Sequence, residues 1–157
     1  MKQIELTQGQ YAIVDDDDFE ELNQYNWYFN NGYAVRAVTV PKSKQKKQLM
    51  HRLITNCPAD MDVDHINHDK LDNRKSNLRI CSTSENMQNQ KLRTHVKTSV
   101  YKGVCFNKQA GKWMALIGLD NKQKHLGSFI DEIDAAIAYN VAAIEMFGEF
   151  ALLNDIK

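Results

Sequence analysis

Asp64-His65-Ile66-Asn67-His68-Asp69-Lys70-Leu71-Asp72-Asn73-Arg74-Lys75-Ser76-Asn77-Leu78-Arg79 concentrates acids, imidazoles, amides and bases more densely than any other stretch of the chain. Just upstream, Met61-Asp62-Val63-Asp64-His65-Ile66 alternates acidic with apolar side chains, the two-residue period of a half-buried strand. A polar loop follows over 67–76, and Leu78-Arg79-Ile80-Cys81 reads as the returning strand. Ser82-Thr83-Ser84-Glu85 is a capping box, Ser82 at the N-cap and Glu85 at the third helical position. It predicts a helix over about 83–91, so the order is strand, loop, strand, helix.

These residue types suit phosphodiester hydrolysis. A water must lose a proton, and a neutral imidazole with a pKa near ~6.5 can take it. The leaving oxygen develops negative charge, which a divalent cation can stabilise. Asp64 offers such a cation a hard anionic oxygen and Asn86 a neutral one, a donor set that needs water and substrate phosphate to complete it. Neighbouring strand residues face opposite ways, so Asp64 and His65 share a site only if the strand ends or twists there. Zinc would want cysteines or several histidines in tetrahedral spacing, and Cys57, Cys81 and Cys105 form no Cys-x-x-Cys pair.

Through Asp64, His65, Asn73, Arg74, Asn77, Leu78, Arg79, Glu85 and Asn86 the segment resembles the HNH endonucleases of the ββα-metal fold, and most nearly the phage and intron-encoded homing group. The resemblance implies His65 as general base, Asp64 and Asn86 as ligands of one magnesium or manganese ion, and Asn77 as the residue that holds the loop and orients His65. The family's last letter is often His, where this chain has Asn86. Many relatives carry Gly where this chain has His68, which leaves His68 as an extra phosphate contact without a catalytic role. A His-Arg-Leu like His51-Arg52-Leu53 also belongs to the resemblance, with His51 read as a buried structural residue. Arg52, Arg74, Lys75 and Arg79 are the candidates for gripping a phosphate backbone.

The net charge of zero conceals an asymmetry. Residues 1–41 hold two basic and seven acidic side chains, residues 42–124 seventeen and seven, and residues 125–157 one and six. A basic middle between acidic ends fits a polyanion. No apolar run approaches the ~20 residues of a membrane span. The beginning of the chain lacks the apolar run of a secretory signal, and the cysteine pattern suggests no disulfide framework, so an intracellular protein is expected.

In the N-terminal part, Tyr11-Ala12-Ile13-Val14 reads as a strand, and Asp15 or Asp16 as the cap of a short helix whose positive end the other acids of 15–18 favour. Asn-Gly at Asn31-Gly32, between aromatic and β-branched runs, signals a hairpin. Trp27 and the tyrosines could stack on bases or simply line a sheet. Pro41-Lys42-Ser43-Lys44-Gln45-Lys46-Lys47 reads as a basic turn.

Beyond a linker at 94–97, strands are expected over 100–106, 112–119 and 123–129, joined by short turns as a meander. A helix capped by Asp131 and ended by Gly148 follows. Ile133, Ile137, Val141 and Ile144 recur at helical spacing, and Ala135, Ala138 and Ala142 allow close approach to a sheet. Tyr101-Lys102-Gly103-Val104, Gly111-Lys112-Trp113, Leu126-Gly127, Ala135-Ala136, Ala138-Tyr139 and Phe147-Gly148 make the segment resemble the plant ethylene-response-factor (apetala-type) DNA-binding domain. That domain reads bases largely through arginines and a tryptophan on its strands. Here Cys105, Asn107, Leu116, Gly118 and His125 stand at several of those positions, and Trp113 is read as packing under the helix. Lys102, Lys108, Lys112, Lys122 and Lys124 remain for phosphate contact.

The expectation is an α+β protein: a β-rich platform over 1–49, a ββα-metal nuclease module over 50–93, the linker, and a three-stranded antiparallel sheet packed on one helix over 98–157. It is expected to act as a monomer on double-stranded DNA as a nicking endonuclease. A DNA-binding regulator with a silent nuclease module is the alternative.

Overall fold

The computed structural model describes residues 1–39, 45–91, 98–119 and 122–156. The linker at 94–97 and most of the basic turn, 41–44, lie outside them. By its internal contacts the chain divides into two compact units, Met1–Thr83 and Ser84–Lys157. Its described elements are mixed, with several small antiparallel sheets and four helices.

The first unit opens on an antiparallel pair, β1 (Lys2–Glu5) and β2 (Tyr11–Val14). Helix α1 (Asp16–Leu22) starts one residue after Asp15, as the acids suggested. Asp15 does not cap it, however; its Oδ2 accepts the Lys75 backbone N–H at 2.8 Å. Strands β3 (Tyr28–Asn30), β4 (Tyr33–Val38) and β5 (Lys46–Leu49) form a sheet in that order. The β3–β4 turn is the predicted Asn31-Gly32, with positive φ at both residues, 50° and 89°. That is the backbone Asn-Gly hairpins favour, because it matches the twist of the flanking strands. Lys46 and Lys47 belong to β5, not to a turn: opposite Val38 and Ala37 they satisfy the edge of β4.

Helix α2 (Met50–Ile54) follows, then β6 (Asp62–His65) and β7 (Leu78–Cys81), paired antiparallel across the long polar loop. One core joins β1, β2, α1, β4 and α2. Ile4, Leu6, Val14, Leu22, Trp27 and Met50 are buried together, and Leu71 of the polar loop packs against them. Trp27 donates Nε1–H to the Leu22 carbonyl at 2.8 Å, so its ring is core rather than a stacking surface. The loop is also stitched to β2, since Ile13 N–H bonds Leu71 O and Asn73 N–H bonds Ile13 O, each at 2.8 Å.

Helix α3 (Thr83–Gln88) begins directly after Ser82 but stops three residues before 91. In the second unit, β8 (Val104–Asn107), β9 (Lys112–Leu119) and β10 (Lys122–Phe129) form a meander with β9 central. Strand β8 starts later than expected. Residues 100–103 turn instead, with Gly103 at φ 75° and its open Cα against the Tyr139 ring. Helix α4 (Glu132–Phe147) is capped by Asp131, whose Oδ1 accepts Ile133 N–H at 2.7 Å, and it ends at Gly148 with φ 53°.

The periodicity located α4 but not its buried face. Ala135, Ala136, Tyr139, Ala142, Ala143 and Phe147 are buried, while Ile133, Ile137, Val141 and Ile144 are 38–55% exposed. The reason is steric. Alanines let the helix axis approach Ala115 and Ile117 of the sheet closely, and the β-branched stripe lies on the opposite side. Trp113 packs with this core and meets Phe106 edge-on at 5.0 Å.

Candidate functional site

Asp64 and His65 occupy the last two positions of β6. The strand ends there: His68 N–H turns back to His65 O at 2.9 Å, and Ile66 N–H bonds Asn77 O at 3.0 Å. The strand thus ends at this pair, whose two side chains leave it on opposite faces. His68 takes a left-handed backbone, φ 66°, a conformation glycine adopts without strain. That accounts for the glycine expected at this point in relatives.

Register fixes the surroundings of Asp64. It lies directly opposite Arg79, and pairs across strands point to the same face. Arg79 donates to Asp64 Oδ2 from Nε at 2.9 Å and from a terminal nitrogen at 2.7 Å. Both side chains are largely buried. A cation bound at Asp64 therefore has to share this carboxylate with a guanidinium.

His65 lies across from Leu78 on the other face, 5% exposed. Its ring is 5.0 Å from that of His51, edge-on, and 6.1 Å from that of Tyr33, which is itself 5.3 Å from His51. Burial lowers the proton affinity of His65, opposed by Asn73 first and then by Asp64, Asp69 and Asp72. The neutral imidazole, the form able to accept a proton, is thereby favoured.

His51 is buried, as expected, and burial first, then His65 and Arg52, bring its pKa down to about 3. In the unfolded chain it would titrate near ~6.5. The stabilisation from this neutral burial is complete above that value and is lost as pH falls toward the folded pKa. At about 1.4 kcal/mol per unit, lowering pH from about 6.5 to 5 costs ~2 kcal/mol at His51 alone. Urea midpoints at pH 7 and pH 5 check this. The gap should shrink in His51→Phe, and an unchanged gap would reject His51 as its source.

The loop between the strands is a braced scaffold. Asn77, buried, accepts Asn67 N–H on Oδ1 at 3.0 Å and donates Nδ2–H to Asp72 O at 2.8 Å. Asp72, which the sequence did not single out, is its centre. Its carboxylate receives Arg74 Nε at 2.7 Å, an Arg74 terminal nitrogen at 2.6 Å and Asn67 Nδ2 at 2.9 Å. The bond from Arg74 holds Asp72 below the usual carboxylate range.

The expected phosphate grips are therefore engaged internally. Arg52 donates to the Met61 and Pro58 carbonyls at 2.8 and 2.5 Å, Arg74 is held by Asp72, Lys75 reaches Asp18 at 2.7 Å, and Arg79 binds Asp64. In the second unit, Lys102 closes the end of α3, its ammonium donating to Gln88 O and, at 3.0 Å, to Gln90 O. Burial there lowers its pKa to about 8. Lys108, Lys112, Lys122 and Lys124 are exposed. They do not share one face. Lys124 pairs with Ile117, a residue packed under α4, whereas Lys112 pairs with Asn107 and alternates with Trp113, which also packs under α4.

Asn86 lies on α3 in the second unit. Among the described residues no group of three or more His, Cys, Asp and Glu side chains is placed to hold a metal ion. One buried carboxylate is a hard but sparse donor, which fits a magnesium-like ion that keeps several waters. Tyr33, read from the sequence only as a base-stacking or sheet-lining residue, lies beside the His65 ring.

Residues 49–88 match the family described as HNH endonuclease. Over 155 residues, 94% of this chain and 76% of the relative, the sequence is 33% identical to an uncharacterized HNH endonuclease of Acanthamoeba polyphaga mimivirus. A 58-residue part, 36% of this chain, is 45% identical to an AP2-like ethylene-responsive transcription factor of Arabidopsis thaliana, and covers 12% of that protein. A related factor of Oryza sativa is 37% identical over 81 residues, 45% of this chain and 13% of its own length.

Proposed function

The chain belongs to the HNH endonuclease family, and from that premise we propose that it is a site-selective DNA endonuclease of the homing type that nicks one strand of a duplex. What carries the reading is the placement of Asp64 and His65 at the end of β6, within the matched segment and above a loop braced by Asn77. In this reading 50–93 is a ββα-metal nuclease module, and 98–157 is a DNA-binding module that positions it. The partial similarity to AP2-like factors supports the second role.

His65, neutral at physiological pH, takes the proton from the attacking water. Burial among Tyr33 and His51 fixes its ring. Asn77 holds the loop that follows His65, so it acts as a positioning residue. Asp64 would hold magnesium or manganese, with water and substrate phosphate completing the ion's shell. When bound, the ion supplies charge stabilisation for the leaving oxygen. Arg79 holds the Asp64 carboxylate in place before any ion arrives.

Supercoiled plasmid tests the reading. With magnesium or manganese the full chain should convert it to nicked circles, and with EDTA it should not. Plasmid left intact under both metals, while DNA still shifts on a gel, would instead mark a DNA-binding protein whose nuclease centre is silent.

A further inference from the structure

The charge arrangement of the first unit poses a question that the proposed reaction leaves open: which cation meets the substrate phosphate? The four basic side chains of the first unit that the sequence offered to a phosphate backbone, Arg52, Arg74, Lys75 and Arg79, have their positive ends on partners within the chain, three on carboxylates and one on carbonyls. A guanidinium already bidentate on a carboxylate has little field left for an external anion.

Lys70 is different. It is exposed, and among the described residues no carboxylate forms an ion pair with it. Nor does it extend at random from the loop. Its Nζ sits 4.4 Å from the centroid of the Tyr33 ring. Its stem crosses the β3–β4 turn, where a Cβ added to Gly32 would come within 3.3 Å of the Lys70 Cδ. Gly32 thus serves twice, supplying the positive φ of the turn and leaving the space the lysine stem fills. The same Tyr33 ring packs beside His65 and His51. One aromatic side chain therefore touches both the lysine cation and the imidazole cluster. A cation over a ring face is ordered without being neutralised, because the ring carries no net charge and the ammonium keeps N–H donors for an anion.

We propose that Lys70, seated on Tyr33, is the cation of the first unit that binds a DNA backbone phosphate next to His65. This rests on the nuclease reading and adds to it a specific substrate-binding residue. A compact ammonium suits a single phosphate oxygen, and the contact carries no base preference.

The test uses the full chain and two readouts. One is binding of a labelled random-sequence duplex in EDTA across a salt series. The other is metal-dependent nicking of supercoiled plasmid. Lys70→Gln should lower the slope of log affinity against log salt by about 0.9 and weaken binding several-fold. It should raise KM for plasmid by a similar factor while kcat changes less than about twofold. Lys70→Arg should restore the slope, because it restores the charge. Equal slopes for wild type and Lys70→Gln overturn the proposal whether or not plasmid is nicked. A reduced slope with no nicking by the wild type supports Lys70 as the phosphate cation and overturns the nuclease reading instead.

Discussion

His65→Ala is expected to reduce plasmid nicking by about 10²–10⁴-fold, the usual contribution of a positioned acid–base group. Binding to duplex DNA should persist, since an imidazole kept neutral by burial contributes little charge to phosphate affinity. The ring is 5% exposed and packs against two other rings, so the alanine variant also leaves a cavity. His65→Gln keeps more of the volume and some hydrogen-bonding capacity but cannot act as a base of similar strength, and it separates loss of chemistry from loss of packing. Nicking assays on both variants, with gel shifts on the same preparations, give the result. Wild-type rates in His65→Gln would remove His65 from the role of general base.

The largest loss of stability is expected at Asp72, about 3 kcal/mol for Asp72→Ala. Its carboxylate, 2% exposed, accepts three bonds from Arg74, one of them from the backbone N–H, and one from Asn67. Removing it leaves the Asn67 amide and the Arg74 guanidinium without their acceptor. Arg74 is 34% exposed at its side chain and can recover water, which keeps the cost below that of a fully buried orphaned charge. Asp72→Asn retains one oxygen and should lose roughly a third as much. Urea unfolding of the three proteins measures the difference. Equal midpoints for wild type and Asp72→Ala would mean that the loop is held by Asn77 and the β2 contacts alone. The Asp72 contribution has its own pH dependence. Its folded pKa is depressed, so the stabilisation is present above the ordinary aspartate value and is lost as pH falls through the folded one.

These two residues lie in the same sixteen-residue stretch and differed in how legible they were. His65 follows an acid at the end of an alternating segment, and chemistry alone singles out an imidazole beside a hard ligand. Asp72 is one of two acids in a polar loop, and nothing local distinguishes it from Asp69. Its importance comes from the return of Arg74 and Asn67 onto it, and from the pairing of 71–73 with β2, which no local pattern encodes.

Short-range preference makes several elements readable from residue order alone. The Asn31-Gly32 turn, the strands Tyr11–Val14, Leu78–Cys81 and Lys112–Leu119, and the Asp131 and Gly148 ends of α4 follow from backbone preference and local hydrogen bonding. Tertiary structure alone decided where each charge is used and which face of a helix is inside. Asp15 accepts the backbone N–H of Lys75, sixty residues away, and makes no side-chain cap on its own helix. The isoleucines of α4 lie outward because close helix–sheet packing selects small residues over large apolar ones. Four of the bases that composition offered to DNA are internal struts, and a lysine that no motif marked stands beside the His65 cluster. A charge in sequence has a sign but no partner, and its partner decides whether it holds the fold or meets a substrate.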